Sequence, residues 1–338
     1  MANRNPLAKG LTFAALALRQ MGRRREIAAG IEERAARPFA IEGDTIVLRA
    51  SDAGWRATGV SVKAGERFMV SARGAVWLSK PMAIAMEPKL SLWVRIGHNA
   101  PIAKMLDADC VFTAWADGEV EIFLKAFSEW ASPAGDLMSP ARPAMAGEIG
   151  VRVAKTELAP SAANAPAGWR YLWRLGEGTI YAQRADGQID IDTLADVGIL
   201  QAEVDAALTP ETRLDWRWCV QELPSSLPED LQPTHDYLSV AVEFEDGRDL
   251  TYMWSAGLPH DHIFACPLPY WCDRETHWVL RTPKDGLGRW IDESRSLQAD
   301  AVRAYGQAPK RVVRLWLIAN SVFQRQRGRA SVAGLQLR

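Results

Sequence analysis

The residues best suited to chemistry are concentrated between Pro259 and Trp278. This stretch contains three histidines, two cysteines and three acidic side chains: His260, Asp261, His262, Cys266, Cys272, Asp273, Glu275 and His277. Imidazole and thiolate groups are ligands that zinc accepts in tetrahedral sites, so a metal site is one interpretation. The spacing matches no standard metal motif, and Pro259, Pro267 and Pro269 indicate a loop in which strand alternation cannot be assumed. We therefore predict surface histidines, buried cysteines, no bound metal and no cofactor.

His235 is the candidate for acid–base catalysis. An imidazole oriented by a carboxylate is a common general base. The adjacent Asp236 points to the opposite face of the strand that begins there, so the partner must come from elsewhere, and we select Glu293. This pair defines an enzyme alternative, a metal-independent hydrolase or lyase, whereas in the simpler interpretation His235 is an ordinary loop residue. No GxSxG, P-loop or HExxH motif is present.

Aromatic residues provide a third signal, because the chain has 14 tryptophans. Trp216 and Trp218 are two residues apart in one predicted strand, and Tyr252 and Trp254 in another, so each pair shares a face. With Arg295 as a polar anchor, these rings could line a cleft that stacks on a sugar or holds another flat ligand. The same rings could instead fill the core. Further aromatic residues available to such a cleft are Tyr270, Trp271, Trp278 and Trp290.

Composition excludes several classes of protein. The 338 residues are 48% hydrophobic and 24% charged, as in ordinary globular proteins, and they suffice for about two domains. The net charge of −1 argues against a nucleic-acid binder. Basic residues are nevertheless concentrated in residues 1–40 and 301–338, so the ends either pack on an acidic body or face an anionic partner such as a membrane surface.

The N-terminal segment predicts an amphipathic helix within residues 1–40. Apolar residues recur at helical spacing at Leu7, Leu11, Ala14, Leu18 and Met21. Basic residues follow this apolar run, and no small-residue cleavage site is present, so we predict neither a secretory signal nor a membrane span. We expect a cytoplasmic protein whose helix docks on the body, on a partner or peripherally on an anionic membrane. Four scattered cysteines indicate free thiols.

Short apolar runs separated by turn residues then predict an all-β chain. Residues 42–155 and 166–338 are expected to form two β-sandwich domains of the jelly-roll type, separated by a Pro/Ala-rich stretch at 159–166. Residues 128–147 are predicted as a long loop. One helix is predicted, at 291–305. The main predicted strands are 45–48, 68–70, 75–77, 92–94, 120–123, 149–153, 169–175, 215–221, 237–244, 250–254, 278–281 and 311–318.

The first of these domains resembles the bacterial galactophilic lectins. The resemblance rests on Gly54 to Val60, Lys63 to Glu66, Leu92 to Gly97 and Ala116 to Val120. It implies a galactose-binding-like jelly roll whose sugar site uses a calcium held by an Asn-Asp pair after the last core strand. Here Lys125 to Trp130 occupies that position without the pair, so the resemblance gives this chain no calcium ligand.

The C-terminal half resembles a bacterial family, the domain of unknown function numbered three thousand and forty-seven. The matching stretches are Leu214 to Trp218 with Leu223-Pro224, Asp236 to Phe244, Leu250 to Trp254, and Gly288 to Arg295. The resemblance implies a β-sandwich and no particular activity.

Together these observations predict a protein that binds a carbohydrate or another small organic ligand in an aromatic-lined cleft of the second sandwich. The enzyme based on His235 and Glu293 is the first alternative. The second is a scaffold whose basic ends dock on a membrane or a partner. The sequence does not indicate the ligand or the oligomeric state.

Overall fold

A computed structural model describes residues 6–21, 24–80, 83–98, 101–125, 145–161, 165–176, 179–268 and 271–338. Strands make up 48% and helices 14% of the chain, which confirms the all-β prediction. The contacts divide the chain into two compact units, one of residues 19–163 and the other of residues 1–18 with 164–338. The predicted loop 128–147 and Lys125 to Trp130 lie mostly outside the described residues, as does Tyr270.

The N-terminal segment forms two helices, α1 (Pro6–Met21) and α2 (Arg24–Ala35), rather than the single helix predicted. Leucines on the predicted apolar face of α1 are exposed, with Leu7 at 72%, Leu11 at 66% and Leu18 at 70%. Leu16, outside that face, is the buried leucine of α1. The periodicity thus predicted a helix but not which side is covered. In the part of the chain that the structure describes, no helix is long and apolar enough to cross a membrane.

The unit of residues 19–163 contains two antiparallel sheets. Its elements after α2 are β1 (Ile46–Arg49), β2 (Arg56–Val62), β3 (Arg67–Ser79), β4 (Ile84–Met86), α3 (Pro88–Ser91), β5 (Leu92–Ile96), β6 (Ala103–Lys104), β7 (Asp109–Thr113), β8 (Gly118–Leu124) and β9 (Ala146–Lys155). One sheet has the order β1-β9-β3-β4, with β7 also paired to β3, and the other has the order β2-β8-β5-β6.

The pairing of β3 with β9 requires glycine at two positions. Gly74 has φ +113°, and a Cβ there would lie 2.4 Å from the carbonyl oxygen of Glu148. Gly147 has φ +121°, and a Cβ there would lie 2.4 Å from the carbonyl oxygen of Ala75. Only glycine adopts such a backbone without strain and leaves room for the facing strand. These glycines therefore let β3 continue as one strand where the sequence predicted two.

The remaining strands and helix belong to the C-terminal half. They are β10 (Arg170–Arg174), β11 (Tyr181–Gln183), β12 (Ile189–Leu194), β13 (Val197–Ala207), β14 (Arg213–Glu222), β15 (Tyr237–Phe244), β16 (Asp249–Trp254), β17 (Ile263–Ala265), β18 (Glu275–Arg281), β19 (Ile291–Ser296), α4 (Leu297–Tyr305), β20 (Arg311–Asn320) and β21 (Arg327–Leu337). A seven-stranded sheet has the order β10-β13-β20-β15-β16-β18-β17, and a five-stranded sheet has the order β11-β12-β21-β14-β19.

Aromatic side chains join these two sheets into a sandwich. Trp216 of β14 stacks on Tyr252 of β16 with ring centroids 5.5 Å apart, and Trp218 contacts Trp254 at the same distance. The Tyr181 hydroxyl of β11 donates toward the carbonyls of Gly198 and Leu317 in the opposite sheet. The interior between the sheets is therefore filled by large rings, several of which also hydrogen-bond.

The helix predicted at 291–305 is wrong in its first part. Residues Ile291–Ser296 form the edge strand β19, paired with β14, and the helix begins at Leu297. The alternation of β19 was hidden because two of its inward-facing residues, Glu293 and Arg295, are charged. Each is accommodated by an ion pair, with Arg281 and Asp300 respectively. Paired charges can occupy such positions, and hydrophobic patterning does not detect them.

Candidate functional site

The four aromatic residues predicted to line a cleft lie in the core. Trp216 and Trp218 are 2% exposed, and Tyr252 and Trp254 are fully buried. Trp216 meets Trp218 edge to face with centroids 5.6 Å apart. Sequence alternation placed each pair on one face correctly, but that face packs against the opposite sheet. The structure therefore leaves these rings no open face for stacking on a ligand.

Glu293 and Arg295 hold this core together at its edge. The Glu293 carboxylate accepts hydrogen bonds from the Trp218 indole at 3.1 Å and from Arg281 Nε at 2.6 Å. Arg295 donates two hydrogen bonds of 2.7 Å to Asp300, and its guanidinium lies 4.7 Å from the centre of the Trp278 ring. Both residues are thus engaged inside the sandwich rather than at a cleft.

His235 is also buried, and it contacts a different set of residues from the set that contacts Glu293. Its Nδ1 lies 2.7 Å from the carbonyl oxygen of Glu229, and its Nε2 lies 3.5 Å from Cys266 Sγ. Burial, together with the neighbouring His277, lowers the pKa of His235 to about 3. A neutral imidazole whose two nitrogens face protein atoms is not placed to take a proton from a substrate. The structure does not bring His235 and Glu293 together.

His235 belongs to a cluster that sequence reasoning did not assemble. Its four members, His235, Cys266, Glu275 and His277, place one potential ligand atom each within 4.8 Å of all the others. We call these residues the buried His–Cys–Glu cluster. Their exposed fractions are between 0% and 4%. His277 Nε2 lies 3.3 Å from Glu275 Oε1, so imidazole, thiol and carboxylate groups lie together in the protein interior.

Separate elements of the seven-stranded sheet position this cluster. His235 follows the short 3₁₀ turn Gln232–Thr234 and precedes β15. Cys266 comes directly after β17, which pairs with β18. Glu275 and His277 are two apart in β18 and therefore share a face, a signal that the sequence contained. The signal was missed because three prolines suggested a loop up to Trp278, whereas β18 already begins at Glu275.

Further buried groups surround the cluster. The Tyr237 hydroxyl donates to Glu275 Oε1 at 3.0 Å, and Thr251 donates to the same oxygen at 3.4 Å. Burial acts to raise the pKa of Glu275, but the neighbouring His277, His235 and Cys266 together outweigh it, and the pKa lies well below its usual range. Burial raises the pKa of the Cys266 thiol. The cluster therefore concentrates polar groups in an interior that strongly disfavours unpaired charge.

The other polar residues of the stretch are not part of the cluster. His260 is exposed, as predicted, but the prediction of surface histidines is wrong for His262 and His277, which are buried. The prediction of buried cysteines is wrong for Cys272, which is exposed. Asp261 accepts a hydrogen bond from the Trp278 indole at 2.9 Å and pairs with Arg303. The stretch thus divides into a surface part and a buried part, which the linear spacing could not separate.

An exposed aromatic residue lies in the loop just before β19, the edge strand of the five-stranded sheet. Trp290 is 37% exposed, and Arg217 lies 4.7 Å from the centre of its ring. Arg217 faces Asp292 across the β14–β19 pairing, with Nε and Oδ1 3.9 Å apart, and Leu287 on the same loop is 41% exposed. We call these four residues the Trp290 patch. It combines an indole, a guanidinium and a carboxylate that all reach solvent.

The loop that carries Trp290 is anchored at several points. It begins with a 3₁₀ turn whose capping box joins Thr282 and Asp285. The backbone N–H of Gly288 donates to the carbonyl of Val220 at 2.8 Å, and Gly288 has φ +77°. Asp285 also pairs with Arg281, the partner of Glu293. The indole is thus presented from a hydrogen-bonded loop.

Residues 173–336 match the model of a family described as a protein of unknown function, DUF3047. This match confirms the resemblance of the C-terminal half. No curated protein matches the chain.

Several solved structures are similar at low identity. The PllA-like lectin N-terminal domain of EclA is 19% identical over 33% of this chain and 95% of its own, with a TM-score of 0.22. The xyloglucanase domain of NopAA from Sinorhizobium fredii, solved with cellobiose, is 8% identical over 53% and 96%, with a TM-score of 0.31. The CBM22 tandem of Paenibacillus barcinonensis Xyn10C is 10% identical over 91% and 95%, with a TM-score of 0.24. Lectin and carbohydrate-binding domains are thus among the similar structures, but at these values they identify no ligand for this chain.

Proposed function

We propose that this protein recognises a carbohydrate or a similar small polar ligand through the Trp290 patch. The observation that carries the proposal is the exposed indole with Arg217 beside its ring and Asp292 next to that guanidinium. An indole offers a flat apolar face and an N–H donor, which suits a ligand with both apolar and hydroxyl-bearing faces. Arg217 and Asp292 add donors and acceptors that fix its orientation.

Burial favours this patch over the cleft predicted from the sequence. The rings of Trp216, Trp218, Tyr252 and Trp254 already contact each other across the sandwich. A ligand could reach them only by displacing core side chains, which costs several kcal/mol per large residue. Trp290 needs no such rearrangement because its indole already reaches solvent.

Binding of the intact chain to an array of mono- and oligosaccharides tests the proposal. We expect the protein to retain at least one sugar, and Trp290→Ala to weaken that binding by about ten-fold or more, equivalent to about 1.4 kcal/mol. Leu194→Ala is the matched control, since Leu194 is a 62% exposed apolar residue of β12 in the same sheet. Absence of any retained sugar, or equal binding by wild type and Trp290→Ala, would refute the proposal.

A second candidate function, peripheral binding to an anionic membrane, is favoured by α1. Leu7, Leu11 and Leu18 are each at least 66% exposed, and residues 1–25 contain lysine and arginine but no aspartate or glutamate. An apolar stripe with basic neighbours is the pattern of helices that lie in the interface of anionic bilayers.

Sedimentation with vesicles tests this second function. At low salt, most of the protein should sediment with vesicles of phosphatidylserine and phosphatidylcholine, whereas much less should sediment with vesicles of pure phosphatidylcholine. Replacing Leu7, Leu11 and Leu18 together by Ser should abolish this co-sedimentation, while Leu158→Ser, at another exposed leucine, should not. Equal co-sedimentation of the protein with both kinds of vesicle, or co-sedimentation of the triple variant at the wild-type level, would contradict the proposed mode of binding.

A further inference from the structure

We propose that the buried His–Cys–Glu cluster is a structural zinc site with His235, Cys266, Glu275 and His277 as its ligands. This inference is independent of the ligand bound at the Trp290 patch. It reverses the expectation of no metal that was drawn from sequence spacing. The ligand atoms lie within 4.8 Å of one another and come from elements separated by up to 42 positions in the chain, which linear spacing cannot reveal.

Two of the six distances between the ligand atoms fit a tetrahedral ion. Zinc binds thiolate at ~2.3 Å and imidazole or carboxylate at ~2.0–2.2 Å, which places neighbouring ligand atoms about 3.3–3.7 Å apart in a tetrahedron. Cys266 Sγ and His235 Nε2 are 3.5 Å apart, and His277 Nε2 and Glu275 Oε1 are 3.3 Å apart. The other separations are at most 4.8 Å, so side-chain movements of up to about 1–1.5 Å would complete the coordination shell.

Unused hydrogen-bonding capacity points to the same ion. His277 is fully buried; its Nδ1 has no hydrogen-bond partner among the described residues, and its Nε2 lies 3.3 Å from Glu275 Oε1 without the geometry of a hydrogen bond. Buried polar groups in native proteins almost always have a partner. A zinc ion bound to one nitrogen of His277 would supply it.

The ring nitrogen of His235 that would not bind zinc, Nδ1, has the kind of hydrogen-bond partner that histidine ligands usually have. Its Nδ1 lies 2.7 Å from the carbonyl oxygen of Glu229, which accepts only from a protonated nitrogen and so leaves Nε2 free as a ligand toward Cys266. Histidine ligands usually donate their other N–H to such a group. The Tyr237 hydroxyl, 3.0 Å from Glu275 Oε1, gives the carboxylate comparable support.

Charge balance favours a divalent cation here. One thiolate and one carboxylate carry two negative charges, which a zinc ion neutralises while the two imidazoles remain neutral. An uncompensated charge in such an interior is expensive. The thiolate and imidazole ligands select zinc over calcium and magnesium, which prefer oxygen.

The site is structural because four protein ligands close it. A catalytic zinc keeps a position open for water or substrate, and here all four side chains are buried. The ion would join β18 to the segments just before β15 and just after β17. Metal binding is then part of the folding free energy of the sheet.

Zinc content of the untagged intact chain, purified without chelators under reducing conditions, is the first test. We expect about one equivalent of zinc per chain, and a fall below about one tenth of that in Cys266→Ser and His277→Gln. Cys272→Ser and His260→Gln are matched controls, because both residues are exposed and lie outside the cluster. Retention of zinc by Cys266→Ser and His277→Gln would overturn the assignment.

Cobalt substitution keeps the test valid where a variant fails to fold. Wild-type protein is stripped with a chelator and titrated with cobalt chloride. We expect the strong visible absorption of tetrahedral cobalt and a thiolate-to-cobalt charge-transfer band, both reversed by added zinc sulfate and both retained by Cys272→Ser. If purified wild type contains no zinc, and the stripped protein binds neither cobalt nor zinc, the site is not a metal site.

Discussion

The indole of Trp218 donates a hydrogen bond to the carboxylate of Glu293, 3.1 Å away on the neighbouring strand. The sequence suggested that Trp218 stacks on a ligand and that Glu293 serves catalysis. In the structure the two side chains instead satisfy each other at the edge of the sandwich core. Their mutual engagement makes stability, rather than binding or turnover, the property that mutation of either should change.

Replacing Trp218 with Ala should destabilise the protein by ~3–5 kcal/mol, the usual cost of removing a large buried ring. The ring is 2% exposed and packs against Trp254. Urea unfolding followed by circular dichroism measures the loss. Trp290→Ala is the control and should change stability by no more than about 0.5 kcal/mol, because its ring is partly exposed. A Trp218→Ala protein as stable as wild type would show that this ring does not support the core.

Glu293→Ala should also destabilise the protein, by about 1–3 kcal/mol, since it leaves the indole N–H of Trp218 without its acceptor and leaves Arg281 with Asp285 as its carboxylate partner in place of two carboxylates. Glu293→Gln retains one acceptor oxygen and should lose less. Chemical unfolding of both variants against Glu211→Ala, at an exposed glutamate, measures the difference. A catalytic Glu293 would instead give variants of normal stability and lost activity.

The sequence was most informative where alternation was uninterrupted. Tyr237–Phe244 was predicted with its correct ends, and the all-β class and the two-sheet character of the C-terminal half followed from similar runs. It failed where charge occupies inward-facing positions, as in β19, because ion pairs with Arg281 and Asp300 replace apolar packing.

The candidate site was predictable only in part. Glu275 and His277 are close in sequence, but their proximity to His235 depends on pairing between strands that are distant in the chain. The sequence also did not show which side chains are exposed. Trp290 and Trp218 are both tryptophans in or next to strands of one sheet, yet Trp290 is partly exposed and Trp218 is buried. Side-chain identity does not determine which face of a sandwich is covered.

The ion pair of Asp192 and Arg327 predicts a pH dependence of stability. Hydrogen bonds of 2.9 and 2.5 Å from Arg327 hold the pKa of Asp192 below its usual value of 3.8. A carboxyl with a lowered pKa in the folded state stabilises the protein above its unfolded pKa, and this contribution disappears as pH falls through the folded pKa. The effect should be small because both side chains are about half exposed.

Comparison of wild type with Asp192→Asn tests this pair. Wild type should be the more stable at neutral pH, and the two unfolding free energies should converge in acid, below the usual pKa of aspartate. Asp273→Asn, at an exposed aspartate between β17 and β18, serves as the control. A difference that grows in acid would have the wrong sign for this mechanism, and one unaffected by pH would exclude it.

The two predicted domains should fold separately, but the first needs a longer N-terminal boundary than residue 42. Within the described residues, the strands of each sheet come from one half of the chain. The Phe39 ring, however, packs against the guanidinium groups of Arg73 and Arg152 and over Gly150. The Cζ atoms of Arg73 and Arg152 lie 5.6 and 4.3 Å from the centre of the ring. A fragment that begins at residue 42 removes this ring and exposes the surface of the sheet that it covers.

We therefore expect residues 36–161 and 166–338 each to give β-rich circular dichroism and a cooperative thermal transition, and residues 42–155 to melt at a lower temperature than 36–161. Phe39→Ala in the longer fragment should reproduce part of that loss, because it removes the same contacts with Arg73 and Arg152 while keeping the backbone. Phe39→Leu, which retains apolar cover on Gly150, should lose less. If 36–161 or 166–338 is unfolded alone, the prediction of separately folding domains with these boundaries is wrong. If 42–155 is as stable as 36–161, the packing of Phe39 does not contribute to the fold.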